Sequence, residues 1–292
     1  MFICNMKKLL LVILACLPFI VVAQSNPYKI YDVKNGKVIT AQDLVKDLKN
    51  VDVVFFGEEH NDSVGHMVES DLFEQLFASY PKVALSMEMF HTDVQLIVDE
   101  YLAGNISEKN FTKEARAWNN YKDYKPLIEF AKEKGLGVTG ANAATRYSNL
   151  VTKSGLNGLE SLSKTSKAFL PPLPIDTATG KYYDKFMETM GGHNMGGMKI
   201  YQTQNLWDAT MAWSIARYIK KHKGSKVLQL NGRFHSDEHL GTFAKLEKMM
   251  PQLDLRNISC FYANDFNNPD WEKYKKLGDY IIVTDPAVKR TY

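Results

Sequence analysis

From Val51 to Asn142 the chain repeats one rhythm, a short apolar run followed by a longer stretch with helical periodicity. That rhythm limits the fold more than any other feature. The runs VDVVFFGE and KVALSMEMF are nearly continuous in their apolar character, the pattern of strands covered on both faces. Between them, Val64, Val68, Leu72 and Leu76 recur at four-residue spacing before Pro81 ends the stretch. GLGVTGAN reads as a third strand after WNNYKDYKPLIEFAKEKG, a helix that Gly135 closes. Strands alternating with helices argue for a parallel sheet. The expected fold class is therefore α/β, a mostly parallel sheet with helices on both faces and an inserted helical cap.

The remaining elements follow from local chemistry. YKIYDVKNGKVIT alternates around Asn35-Gly36 and reads as a tight hairpin, and AQDLVKDLKN as a short amphipathic helix. Thr92-x-x-Gln95 has the form of a capping box opening VQLIVDEYLAG, which Gly104 closes. The rhythm breaks at about residues 143–203, where Pro171-Pro172-Leu173-Pro174 precedes a Gly- and Met-rich tract. A structureless loop of that length is uncommon, so the segment is expected to form the cap. QNLWDATMAWSIARYIKKH, the strand KVLQLNGRFH and a helix SDEHLGTFAKLEKMMP opening at Ser236 follow. ISCFYAND and GDYIIVTD complete the strands.

Residues 1–23 stand apart as a signal peptide, with Lys7-Lys8, an apolar core and a small-residue end at Val21-x-Ala23. Cys16 behind Ile13-Leu14-Ala15 loosely suits a lipidation box, so a lipid anchor is the alternative to secretion, and an uncleaved anchor a third reading. Residues 24–292 are expected to fold as a single domain. Cys260 is then the sole cysteine, which excludes an internal disulfide and a cysteine metal site. A net charge of +3 excludes the electrostatic footprint of a nucleic-acid binder.

The chemistry sits where the apolar strands end. The tips are Gly57-Glu58-Glu59-His60, Met87-Glu88-Met89, Ala141-Asn142 and Gly232-Arg233-Phe234-His235. In a parallel sheet all carboxyl ends share one edge, and ligands bind there. Two tips carry Gly-x-x-His, in which the glycine permits a sharp turn or close approach. Glu58, His60, Glu88 and His235 are therefore candidate catalytic residues. His60, Glu88 and His235 alternatively suit a divalent metal, or an acid–base pair without one. Glu58 is preferred to Glu59 as the inward acid. His66 is either a helix-packing residue or a ligand. His239 has a weaker claim to join His235. In the cap, His193, Met195 and Met198 lie among glycines with Tyr182, Tyr183 and Tyr201 nearby. These residue types make either an adaptable apolar lid or axial haem ligands. Arg146 and Tyr147 suit a ligand carboxylate or a helix cap.

Taken in order, GEEHND, the strand ending in Glu88, WNNYKDYKPLIEFA, GVTGANAATR, the segment from Gln204 through Trp207-Asp208 to Ala212, and Gly232-x-x-His235 resemble the ChaN-like haem-binding uptake family. That family shares a superfamily with the Tiki and TraB proteins and the erythromycin esterases. The resemblance spans Val51 to Leu246. It implies an exported protein of haem and iron acquisition, periplasmic or associated with the outer membrane of a Gram-negative bacterium and often lipid-anchored. It further implies haem in a pocket at a dimer face, with tyrosine on the iron and histidine and basic residues on the propionates. Gly57, Glu58, His60, Glu88, Gly232 and His235 match the shared motifs. His193 falls where the family's cap carries a histidine, and Tyr201, Tyr182 or Tyr147 would hold the iron. Superfamily relatives use the Gly-x-x-His and glutamate set for hydrolysis, with metal in the Tiki proteins, which leaves a metal-dependent or histidine-based hydrolase as the alternative. Phe234 departs from the pattern, standing where a smaller residue is common.

Overall fold

The computed structural model describes residues 26–191 and 199–292. The expected leader, Cys16, and the cap residues His193, Met195 and Met198 lie outside them. Eight strands form one sheet: β1 (Tyr28–Asp32), β2 (Lys37–Ile39), β3 (Val53–Glu58), β4 (Val83–His91), β5 (Val138–Asn142), β6 (Lys226–Gly232), β7 (Leu255–Tyr262) and β8 (Tyr280–Thr284). Their order is β2-β1-β8-β7-β3-β6-β4-β5. β1 pairs antiparallel with both β2 and β8, and the other pairings are parallel. The α/β expectation holds. The hairpin turns at Gly36, whose φ of +63° favours glycine.

The helices are α1 (Ala41–Asp47), α2 (Ser63–Ser79), α3 (Gln95–Leu102), α4 (Glu108–Glu114), α5 (Tyr121–Lys134), α6 (Thr145–Ser154), α7 (Lys164–Lys167), α8 (Lys181–Thr189), α9 (Ile200–Lys221), α10 (Gly241–Met249) and α11 (Trp271–Tyr274). Every residue of β3 and β6 is buried, as their continuous apolar sequences require. Side-chain alternation divides the core between two faces. Val54 and Phe56 join one cluster with Val68, Leu72 and Leu76 of α2 and Leu127 and Ile128 of α5. Val53 and Phe55 join the other with Ala212 and Ile215 of α9 and Phe243 and Leu246 of α10. Each fully buried Leu or Phe contributes roughly 1.5–3 kcal/mol, so both layers are needed to hold the sheet. The cap has its own small core of Tyr147, Val151, Leu156, Leu159 and Leu170 against Leu206 of α9.

Three local expectations need correction. The Thr92–Gln95 capping box does not form. Thr92 Oγ1 donates to the Phe169 carbonyl at 2.7 Å, and the Gln95 amide reaches the Val138 carbonyl and the Gly140 N–H, both at 2.8 Å. Tertiary partners outcompete the local cap, and α3 starts at Gln95 after a short 3-10 turn. Second, the helix expected at Ser236 begins only at Gly241, because Glu238 and His239 have φ of 63° and 57°. Third, α9 extends back to Ile200, so the end of the expected cap segment belongs to that helix. Helix α4 had no counterpart in the sequence reading.

Candidate functional site at the carboxyl edge of the sheet

β3, β6 and β4 are neighbours, so the tips bearing Glu58, Gly232 and Glu88 lie side by side at one edge. The two glutamates point to opposite faces. Glu58 follows Val54 and Phe56 toward α2 and α5, while Glu88 alternates with Leu85 and Met87 and faces α9. Each meets a separate set of partners.

On the α2–α5 side, Glu58 is buried. Its Oε1 accepts from His60 Nδ1 at 2.6 Å and from the Tyr124 hydroxyl at 2.6 Å. His66 Nδ1 lies 3.4 Å from Glu58 Oε2 and 3.2 Å from Glu69 Oε2. Its other nitrogen donates to the His60 carbonyl at 3.1 Å. Burial pushes the Glu58 carboxyl up, but the neighbouring Glu69, His60 and His66 side chains outweigh it and hold the group well below the usual range. Burial and the Glu58 charge drive Glu69 the other way, well above it. Burial also opposes charge on His66, yet Glu69 and Glu58 raise it to about 11.

On the α9 side, Glu88 Oε2 accepts the Gly232 N–H at 2.7 Å, and Oε1 lies 3.4 Å from His235 Nε2. His235 Nδ1 donates to Asp208 Oδ1 at 2.7 Å. Asp208, wholly buried on α9, also accepts from the hydroxyls of Tyr182 at 2.7 Å and Thr242 at 3.0 Å. Gln204 Nε2 donates to the Tyr182 hydroxyl at 3.1 Å and lies 3.1 Å from His235 Nδ1. Burial works against an imidazolium at His235, but Glu88 and Asp208 override it and raise the group to about 10. Burial would raise Glu88, and the His235 cation holds it lowered instead.

Gly232 is where the two halves meet. A Cβ there would fall 2.8 Å from His60 Nε2 and 3.7 Å from Glu88 Oε2. Its φ of −54° is open to any residue, so glycine is required here for space. His60 is thus bound to Glu58 through one nitrogen while the other leans across the edge toward Glu88. Burial lowers its basicity, but Glu58, then Glu88, raise it. The Trp118 ring stands edge-on to it at 5.1 Å.

Glu58, His60, Glu88 and His235 are therefore brought together. Other sequence candidates are not. Glu59 pairs with Arg233 at 3.1 Å at the half-exposed rim. Asn142 Oδ1 accepts the N–H of Ala143 at 2.8 Å, a local bond. His239 turns to Asp279 at 3.0 Å. Arg146 is ion-paired with Asp93, and its Nη2 donates to the Tyr147 hydroxyl at 3.2 Å. Tyr182 is buried behind the edge against Asp208, while the Tyr201 hydroxyl donates to the Ala178 carbonyl at 2.8 Å.

Asp208, Glu69 and Tyr124 were missed as site residues. A signal for Asp208 existed: with Gln204, Met211 and Ile215 it lies on a buried stripe of α9, where a carboxylate needs a partner. Glu69 carries the same signal on α2, three residues after His66.

The cap adds a second surface. Tyr201 packs against Tyr182, Tyr183 and Phe186 with ring centroids at 6.0, 5.1 and 5.0 Å. Phe234 joins through Tyr182 at 5.4 Å, with the Lys185 ammonium 5.1 Å from its ring. Beside it, a groove of about 690 Å³ runs between the segment at Pro171–Lys181 and helices α9 and α10. Trp213, Ala216 and Met249 lie along it, and Arg217, Lys220 and Lys245 supply cations.

The profile of the family described as haem-binding uptake, Tiki superfamily, ChaN matches residues 44–246. The chain belongs to that family. Among solved structures, the chain is similar to the ChaN of Campylobacter jejuni, described for cofacial haem binding. The identity is 15%, the TM-score 0.65, and the match covers 88% of this chain and 97% of that one. Erythromycin esterase EreC in its open conformation matches at 11% identity and a TM-score of 0.48, covering 84% of this chain and 79% of that one. The RRSP effector domain of a Vibrio vulnificus toxin matches at 14% identity and a TM-score of 0.44, covering 88% of this chain and 40% of its own. A comparison with curated proteins found no match. The ChaN likeness at this identity establishes the fold, and family membership connects that fold with haem uptake.

Proposed function

We propose that this protein binds haem beside its cap and serves haem-iron uptake after export. The observation that carries the reading is the ChaN family match over residues 44–246, in a chain whose cap presents phenols, aromatic faces and cations together. Haem needs an apolar face, an iron ligand and positive charge near its propionates, and this donor set fits. Among the described tyrosines, Tyr182 is least suited to the iron. Burial and then the Asp208 carboxylate push its phenol well up, against the phenolate that ligation needs. Tyr147 is buried beneath Arg146. Burial raises the phenol of half-buried Tyr201 too, but without an adjoining carboxylate bond; among the described residues its hydroxyl has the Ala178 carbonyl to release, with exposed Tyr183 beside it. We assign the iron to this pair, with Arg217 and Lys220 of the neighbouring groove for the propionates. His193 remains the cap histidine to test.

The exposed Tyr183 face would suit a site shared by two copies of the chain. The leader expected at residues 1–23 supports export, with secretion or a lipid anchor at Cys16 as its two forms. The family match lends less support to the alternative, a hydrolase that is metal-dependent or uses His60 as general base.

Haemin affinities of wild type, Tyr201→Phe, Tyr183→Phe and His193→Ala test the assignment. Loss of at least about tenfold in a tyrosine variant, with a changed Soret position, supports it. Equal affinity and spectra in both tyrosine variants would remove the cap pair from the iron. Sedimentation with and without haemin tests the shared face, and an unchanged monomer contradicts it.

A further inference from the structure

We propose a second ligand site, a divalent transition-metal site formed by Glu58, His66 and Glu69 beneath the β3 tip. It is separate from the cap and independent of the haem reading. One ligand atom from each of the three residues lies within 4.8 Å of the others, and all three residues are buried. His66 Nδ1 is 3.2 Å from Glu69 Oε2 and 3.4 Å from Glu58 Oε2. A tetrahedral ion with bonds of about 2.0–2.1 Å separates neighbouring ligand atoms by about 3.3 Å. Both edges already match that spacing.

The surroundings are those of a metal histidine. His66 donates its Nε2–H to the His60 carbonyl at 3.1 Å, which orients the ring and turns Nδ1 toward the two carboxylates, where an ion would take the place of the Nδ1 proton. Glu58 is oriented in the same way. Its Oε1 is occupied by His60 and Tyr124, which leaves Oε2 facing the cluster. Glu58 Oε2 and Glu69 Oε1 are buried oxygens with no hydrogen-bond partner among the described residues. Burying carboxylate oxygens without a donor is costly, and a cation between them removes that cost. A pocket of about 370 Å³, bordered by Ser63, Met67, Asp71, Asp123 and Thr291, opens onto His66 and gives an ion a path. One imidazole and two carboxylates suit a divalent ion of the Mn-to-Zn series. An ion there would fix Glu58 and, through it, His60.

The test uses chelator-treated full mature protein titrated with Co(II), read by visible absorption, and with Zn(II), read by histidine ring nitrogen NMR. One equivalent of Co(II) with the intense bands of four-coordination is expected, and Zn(II) should move the His66 Nδ1 resonance while leaving His235 in place. Glu69→Gln should weaken binding by more than the roughly 10–100-fold typical of outer-shell losses, while Glu88→Gln should retain it. Saturation without any His66 shift, or binding lost in Glu88→Gln but kept in Glu69→Gln, would overturn the site, as would no stoichiometric binding. The NMR reading on wild type decides the matter if a variant fails to fold.

Discussion

Replacing Asp208 with asparagine isolates what holds His235. Asp208 is fully buried and receives three donors, from His235, Tyr182 and Thr242. Breaking a buried charged pair costs about 3–5 kcal/mol. Asparagine keeps one acceptor oxygen and Glu88 still faces the ring, so a loss near the lower end, about 3 kcal/mol, is expected. The pH dependence is more diagnostic than the size. His235 is raised from its ordinary 6.5 to about 10. A raised histidine contributes its stability in full below the unfolded value and loses it as pH climbs to the folded one. The wild-type contribution should thus be complete below about pH 6.5 and fall by about 1.4 kcal/mol per pH unit until about pH 10. Without the Asp208 charge the folded value drops and the decline ends sooner. Urea unfolding across this range should show a wild-type advantage that is largest near pH 6.5 and shrinks toward pH 10. A gap that stays constant or widens with pH would refute the charge argument.

Gly232→Ala places a methyl group 2.8 Å from His60 Nε2; overpacking of this kind costs about 1–3 kcal/mol, and calorimetry plus the His60 NMR signal should both register it. Tyr124→Phe removes one of two donors from Glu58 Oε1, with an expected loss of about 1.5–3 kcal/mol for a bond to a charged group; an unchanged urea midpoint would contradict the role given to that hydroxyl. Mass spectrometry of exported protein should find Gln24 as the first residue, or a lipid on Cys16 if the anchor reading holds. A retained Lys7-Lys8 segment would contradict cleavage.

Much of this arrangement is legible in the sequence because strand periodicity and position coincide. The apolar runs ending at Glu58 and Gly232 specify buried strands, and a parallel sheet then brings His60 and His235 to one edge. Alternation also encodes which face each glutamate takes, since Glu58 follows Phe56 and Glu88 follows Ser86. Contacts made in three dimensions are harder to read. Thr92 and Gln95 fit a local cap, yet distant carbonyls compete better for them. Ser236 fits a helix start, but the left-handed turn at Glu238 and His239 delays α10. Asp208 and Glu69 hide in helices because their partners come from other elements, although a buried acid on an apolar stripe already signals that a partner exists.

Haemin titration of the purified mature protein tests the central claim most directly. A saturable Soret shift at a fixed stoichiometry, weakened in Tyr201→Phe or Tyr183→Phe, is the result this account predicts. Haemin whose spectrum stays that of the free compound at every protein concentration would contradict it.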